Sequence, residues 1–291
     1  MRVFQLLFVV MVFACQSSIE VPKIDQVYQA NFEQYLIDRQ EERDYYLRLC
    51  GLTKLPALTS TFGKDSLSDI PVPVEGVPAV VGYFVNQSDE ITFIASGDQL
   101  VKNEAGAWVD TVNYSLNESG NSEKLFVGEL SWMIITRGGE PYVRSWDGQN
   151  PAVKAFQKFD RFKLSTDFMF QADFSYYKVP RERIVSTQLG PPETVKMVGE
   201  VSFEYQGETY ILEVGNNGFT MVGDATTGVE TYGGGRYIDF ILPESSGPLL
   251  VDFNKLYNPP CTFSEFTTCQ YPSEQNMLPF KITAGELYSG H

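Results

Sequence analysis

The order of apolar and polar side chains divides the chain into one helical stretch followed by many short strands. From 22 to about 49, Ile24, Val27, Tyr28, Phe32, Tyr35 and Leu36 recur near the 3.6-residue period, with Glu, Gln, Arg and Asp between them. That spacing predicts an amphipathic helix whose aromatic stripe packs on a core. Beyond Gly51 the period falls to two, and Gly, Pro, Asn and Asp interrupt it every few residues, which predicts strands at 79–85, 90–95, 107–112, 124–130, 132–136 and 142–146. Residues 150–162 read as a short helical connector with Ala155, Phe156 and Phe159 on one side. After it, Phe168, Phe170, Ala172, Phe174 and Tyr176 alternate with Met169, Gln171, Asp173 and Ser175, the pattern of a half-buried strand. Stretches 193–198, 200–205, 209–214 and 218–222 alternate likewise, and Gln206-Gly207 offers a hairpin turn between two of them. The expected fold is mainly β: an antiparallel sandwich or rolled sheet in two halves, 51–149 and 150–291, preceded by an N-terminal helix over 22–50.

Composition supports burial and narrows the partners. Apolar residues make up 43% of the 291 and aromatics 14%, so there is ample material for a core and a bias toward strand formers. The formal charge of −15 argues against a phosphate-backbone partner, because nucleic-acid binding needs clustered Lys and Arg. The single histidine, His291, stands at the extreme terminus, so neither a metal site nor histidine-dependent catalysis is expected, and no cofactor is called for.

The N-terminus reads as a secretion signal. Arg2 supplies a positive charge, and residues 3–13 form an apolar run too short to span a bilayer. Val12-Phe13-Ala14-Cys15 resembles the lipobox of bacterial lipoproteins, in which the cysteine is lipidated and becomes the mature N-terminus. The resemblance implies removal of 1–14, a tether over 15–21, and a protein of the bacterial cell envelope held to the membrane through Cys15. Of the other cysteines, Cys261 and Cys269 lie eight residues apart among prolines, a context for a local disulfide in an oxidising compartment or for a reactive thiol at Cys261.

Two family resemblances bear on fold and site. Gly63-Lys64, Asp69-Ile70 and residues 77–84 loosely resemble strands of forkhead-associated domains, which bind phosphothreonine. Lys64, Pro78 and Val81 stand where that family carries Arg, Ser and His, so a β-sandwich is implied and the ligand is not. The second resemblance is far more specific. It rests on Arg144, Asp147, Phe156 and Phe162, then on Asp224-Ala225-Thr226, Gly228, Thr231-Tyr232-Gly233 and Gly235-Arg236-Tyr237. It continues through Asp252-Phe253-Asn254, residues 257–261, Cys269, Pro272, Asn276, Leu278 and Ala284-Gly285-Glu286. These residues resemble Domain of Unknown Function 1684 over about 142–286, which implies a fold and a shared site but no assigned activity.

Within that stretch, Arg236 follows three glycines, so its guanidinium could be offered from an open turn to a carboxylate or phosphate, or could be held by Asp224 or Asp252 in a buried pair. Asn254 and Asn258, beside Pro259 and Pro260, suit loop bracing or ligand orientation, with Tyr232 nearby. The Gly233–Gly235 run lacks the Lys-Ser/Thr of a phosphate loop. One reading is therefore a protein that binds a small polar or anionic molecule through Asp224, Tyr232, Arg236, Asp252, Asn254 and Asn258. A second is a hydrolase-type enzyme using Asp224 or Asp252 as base, or Cys261 as nucleophile. A third is a structural or interaction role.

Overall fold

A computed structural model describes residues 19–87, 90–98, 100–188 and 190–290. The signal segment and Cys15 lie outside the described residues. Helix α1 (Gln26–Leu47) starts where Asp25 accepts the Tyr28 amide at 2.9 Å, a side-chain cap that satisfies one of the helix's unpaired donors. Its buried side consists of Tyr28, Phe32, Arg39, Arg43 and Leu47, while Val27, expected in the apolar stripe, is 69% exposed. Two arginines thus continue the stripe that two aromatics begin.

The middle of the chain is a β-sandwich of short strands: β1 (Leu49–Lys54), β2 (Thr59–Gly63), β3 (Ile70–Pro71), β4 (Gly82–Gln87), β5 (Glu90–Ala95), β6 (Val101–Asn103), β7 (Trp108–Val109), β8 (Thr111–Asn113), β9 (Leu125–Val127), β10 (Leu130–Arg137) and β11 (Glu140–Asp147). One sheet runs β1-β11-β10-β9-β6-β7 and the other β3-β2-β4-β5-β8. All pairings are antiparallel except the two-residue match of β2 with β3. Phe62, Phe84, Phe93 and Trp132 fill the space between the sheets, with ring centroids 4.9–5.4 Å apart for the pairs Phe62–Trp132, Phe84–Phe93, Phe93–Trp132 and Phe62–Phe84. The buried Trp132 indole donates to the Tyr114 hydroxyl at 3.1 Å, so the large ring enters the core without an orphan donor. The expected strand at 90–95 is found as such. The one at 79–85 starts only at Gly82, because the Pro78 and Ala79 carbonyls accept from the Lys64 and Asp65 amides in a loop. The one at 107–112 breaks at Asp110 into β7 and β8, which join different sheets.

The C-terminal half is a second antiparallel assembly. The expected connector helix shrinks to one turn, α2 (Ala152–Ala155), before Phe156 turns extended and packs with Phe159 and Phe263. Then come β12 (Met169–Val185), β13 (Glu193–Tyr205), β14 (Glu208–Gly215), β15 (Phe219–Val222), β16 (Arg236–Asp239) and β17 (Gly247–Asp252), with β14-β13-β12-β17 in one sheet and β15-β16 as a separate pair. The two stretches read at 193–198 and 200–205 are a single strand. Gln206 and Gly207 both take positive φ, 52° and 84°, in the hairpin turn foreseen there. Phe170, Phe174, Phe203, Leu212, Val214, Val251 and Phe253 form the core of this half.

Helix α1 touches both halves. Its first turns lie on the C-terminal assembly: Tyr28 donates to Asp252 at 2.8 Å, Tyr35 to the Lys255 carbonyl at 2.6 Å, and Arg39 to Asp239 at 2.9 Å. Its last turn lies on the outer face of the sandwich, where the Tyr45 and Trp146 rings meet at 5.3 Å and the Trp146 indole donates to the Tyr45 carbonyl at 3.1 Å. Between these ends Arg43 pairs with Glu286, which also receives Arg161 at 2.9 Å and the Asn258 amide at 2.7 Å. Glu286 is 1% exposed, so this one carboxylate compensates two largely buried guanidinium groups. Replacing Glu286 by Gln keeps the shape and removes the charge. Losing a partner from a buried ion pair is expected to cost about 3–5 kcal/mol, read as a lowered urea midpoint with an unchanged slope. A midpoint shift within the range of a surface substitution would show that the network does not hold the helix.

Candidate functional site

Of the residues expected to hold a ligand, Arg236, Asp224 and Asn258 hold the protein's own C-terminal segment. Arg236 opens β16 and is fully buried. Its Nη2 donates to Asp224 Oδ2 at 2.8 Å and to the Ile282 carbonyl at 3.1 Å, while Nη1 donates to the Ala284 and Glu286 carbonyls at 2.5 and 3.2 Å. Asp224 Oδ1 accepts from the Thr226 amide and hydroxyl at 2.8 and 2.7 Å and from the Ile282 amide at 3.1 Å. Burial pulls the Arg236 guanidinium below the ordinary arginine value and Asp224 draws it back up. Both side chains of the pair are fully buried, so neither is offered to a ligand or to a substrate from solvent.

Asp252 and Asn254 belong to a different network. Asp252 accepts from Tyr28 and, at 3.1 and 2.9 Å, from the Asn254 amide and side chain. Asn254 in turn exchanges two 3.0 Å hydrogen bonds with the backbone of Ser165. Asn258 gives its amide to Glu286 and its side-chain NH2 to the Leu287 carbonyl at 2.8 Å. Tyr232 packs edge-to-face on Tyr288 at 5.1 Å and sets its hydroxyl 3.6 Å from Cys261 Sγ. Cys261 and Cys269 are both free thiols. Asp252 borders an open hollow of about 590 Å³ with Lys23 and Lys255, but Arg236 does not reach it. Among the described residues, then, Asp224, Arg236, Asp252 and Asn254 do not converge on one solvent-reachable cavity.

A different set of side chains does converge. Where the last turns of α1 cross the outer face of the sandwich and meet the 257–270 segment, a cleft of about 280 Å³ is lined by Glu42, Tyr46, Arg137, Arg144, Thr268 and Cys269, with Arg39 at its edge. Strand alternation explains how Arg144 gets there. Val143 points into the sandwich core, so its neighbour Arg144 points out of the sheet toward the cleft. Arg144 is only 8% exposed, and among the described residues no carboxylate lies within 4.0 Å of it. Its Nε has no partner, and neither do Thr268 Oγ1 and Arg39 Nε in the same wall. The Tyr45 hydroxyl is within hydrogen-bonding reach of Arg144, but it is neutral. Burial, and next the charge of Arg137, pull the Arg144 guanidinium below the ordinary arginine value.

Neighbouring charge reinforces the contrast. Lys124 lies over the Trp146 ring at 4.1 Å and is itself shifted down by burial, Arg144 adding to the effect. Arg137 makes one hydrogen bond, to the Thr136 carbonyl, and no ion pair among the described residues. Glu42 is the carboxylate in the lining, and it is taken by Arg39 at 2.5 Å. A chain with formal charge −15 therefore lines one hollow with Arg39, Arg137 and Arg144, and among the described residues the buried Arg144 has no ion pair. Sequence reading missed this because Arg39 stands on the helix, remote in the chain from Arg137 and Arg144 on their hairpin. The available signal was Arg144 itself, a charge in mid-strand between Val143 and Trp146.

Residues 154–287 match the family described as Protein of unknown function (DUF1684). The C-terminal region of the chain is thus similar to the uncharacterised family its motifs resemble, although Arg144 and Asp147 fall outside the matched span. No curated protein matches the chain significantly. Similar solved structures include the solution NMR structure of an uncharacterized protein from Haloarcula marismortui, 25% identical over 46% of this chain and 78% of that one, with a TM-score of 0.38.

The two arginines should answer substitution in opposite ways. Arg236→Met leaves Asp224 buried without its counter-charge and is expected to cost about 3–5 kcal/mol. Arg144→Met removes a buried charge that has no ion pair among the described residues, and is expected to leave the thermal midpoint unchanged or raise it, as substitutions at sites built for binding commonly do. Thermal melts of both variants in a non-coordinating buffer decide the matter, and a large loss at Arg144 would show that its charge is compensated within the chain.

Proposed function

We propose that the protein binds a small oxyanion, a carboxylate or phosphate, in the cleft between α1, the outer sandwich face and the 257–270 segment. Arg144 is the principal ligand and Arg137 the second. The observation that carries this reading is the buried Arg144 guanidinium with no carboxylate within 4.0 Å among the described residues. Burying a charge without a partner is unfavourable by several kcal/mol (about 3–5 when one member of a buried pair is lost), and an anion arriving from solvent would relieve it. A guanidinium also presents a planar fork of donors that matches an oxyanion edge in two parallel hydrogen bonds. The unpartnered Thr268 hydroxyl in the same wall supplies a further donor. The cleft sits at the small end of ligand sites (about 300–1,000 Å³), which suits a compact anion rather than a nucleotide.

Attachment to the envelope membrane through Cys15 is part of the same reading. It rests on the short apolar run at 3–13 and on the small residue before Cys15, and it would place the cleft outside the cytoplasm. Metabolic labelling of the full chain with a fatty-acid analogue should mark the wild type and leave Cys15→Ser unmarked. Label retained in the variant would place the lipid elsewhere.

Ligand-induced stabilisation tests the cleft directly. At a concentration 100 times Kd, a bound anion adds about 2.7 kcal/mol to the folded state. A panel of phosphate, sulfate, citrate and short dicarboxylates is expected to contain at least one member that raises the wild-type midpoint by that order, with the shift lost in Arg144→Met. The reading is wrong if no anion raises the midpoint, or if Arg144→Met responds as the wild type does.

A further inference from the structure

The two C-terminal thiols face each other in a setting that the anion reading does not use. Cys261 stands on the turn that follows Pro259-Pro260, and Cys269 on the extended segment eight residues later. Internal hydrogen bonds shape the intervening loop: the Ser264 amide donates to the Pro260 carbonyl at 2.9 Å, the Thr262 hydroxyl to the Pro259 carbonyl at 2.7 Å, and the Thr267 hydroxyl to the Ser264 carbonyl at 2.9 Å. Both flanks are pinned to backbone elsewhere, Tyr257 to Tyr237 of β16 by two 2.9 Å bonds, and the Cys269 carbonyl and Tyr271 amide to Gln188 and Ser186, just past β12, at 2.9 Å each. The loop folds back so that the Cys261 amide donates to Cys269 Sγ at 3.0 Å, and the two side chains hydrogen-bond to each other.

The sulfurs differ sharply in environment. Cys269 is 4% exposed, and burial together with the neighbouring sulfur pushes its thiol far up. Cys261 is half-buried; its hydrogen bond with Cys269, and after it that with Tyr232, holds its thiol below the ordinary value despite burial. Tyr232 can stand there because Gly234 has no side chain: a Cβ at that position would lie 2.5 Å from the Tyr232 ring and 2.7 Å from Tyr271. The Gly233–Gly235 run thereby makes room for two tyrosine rings beside the more acidic sulfur. The third described cysteine, Cys50, is buried in the sandwich, where burial pushes its thiol up to about 11.

We propose that Cys261 and Cys269 form a redox-active dithiol that reduces a small hydroperoxide. The Cys261 thiolate attacks the terminal peroxide oxygen, forming an S–O bond as the O–O bond breaks, and the departing alkoxide takes a proton to leave as the alcohol. Tyr232, 3.6 Å from Cys261 Sγ, is placed to deliver that proton and regain one from solvent. Cys269 then attacks the sulfur of the Cys261 sulfenic acid, forming the disulfide and releasing water. In sum, two thiols and one hydroperoxide give one disulfide, one alcohol and one water, and a low-molecular-weight thiol returns the pair to its reduced state by exchange. The step needs nothing from the anion cleft, although Cys269 also lines it.

The test uses the whole reduced protein, one equivalent of tert-butyl hydroperoxide, and peptide mapping without reductant. The expected product is the Cys261–Cys269 linkage with Cys50 still free. In Cys269→Ser the expected product is a dimedone adduct on Cys261, and in Cys261→Ser neither linkage nor adduct. Alkylation of the untreated wild type, which needs no variant to fold, is expected to modify Cys261 at least about tenfold faster than Cys50, following thiolate fraction and access. Tyr232→Phe is expected to slow the oxidation while still yielding the same linkage. The proposal is overturned if the hydroperoxide leaves the pair reduced, if Cys269→Ser gives no adduct on Cys261, or if Cys261 and Cys50 alkylate at equal rates.

Discussion

Everything in the C-terminal half closes on the segment from Ile282 to Glu286. Arg236 donates to three carbonyls of that segment and to Asp224, which in turn accepts the Ile282 amide. The segment's own carboxylate, Glu286, receives Arg43 from the helix, Arg161 from the connector and the Asn258 amide. Buried charges of this kind stabilise only when every partner is in place, and removing one leaves the rest uncompensated in low dielectric. The consequence is geometric. Helix, connector, double-proline turn and chain end are fixed relative to one another by a few hydrogen bonds of defined direction rather than by apolar packing alone.

That rigidity gives meaning to the one place where the same logic is not followed. Arg39, Arg43, Arg161 and Arg236 all have carboxylate partners, whereas Arg144, also buried, has none among the described residues. The helix that Glu286 anchors also forms one wall of the cleft into which Arg144 points. An unpaired guanidinium on a rigid frame is preorganised for a visiting anion, since binding then requires no rearrangement of the walls. The dithiol profits from the same frame: its loop is pinned on both flanks, and the Gly233–Gly235 run that precedes Arg236 also gives Tyr232 its place beside Cys261.

The sequence carried the architecture better than the site. Alternation at Phe168–Tyr176 and the Gln206-Gly207 turn give the antiparallel sheet directly, because side-chain period and turn chemistry are local properties. The 3.6-residue recurrence likewise marks the helix, but not that its stripe continues through Arg39 and Arg43, since a periodic reading counts apolar residues only. At Arg236 the motif was visible and its environment was not. A guanidinium after three glycines looks the same in a string of letters whether it faces solvent or the carbonyls of residues nearly fifty positions later. Arg144 was invisible as a site for the complementary reason: an arginine's want of a partner is a fact about space, and the absence of a carboxylate nearby has no trace in neighbouring letters. The two cysteines were legible as a pair, but the asymmetry between them comes from Tyr232 and from burial.

The central claim is that Arg144 is a buried cation with no carboxylate partner among the described residues and that the cleft is shaped for an anion. A crystal structure of the protein grown in sodium bromide, with anomalous data collected at the bromine edge, tests it most directly. The account predicts an anomalous peak in the cleft within contact distance of the Arg144 and Arg137 guanidinium groups, with Arg39 still paired to Glu42 and Asp239. A cleft without bromide, in which Glu42 or another carboxylate of the chain has turned to pair with Arg144, would contradict it.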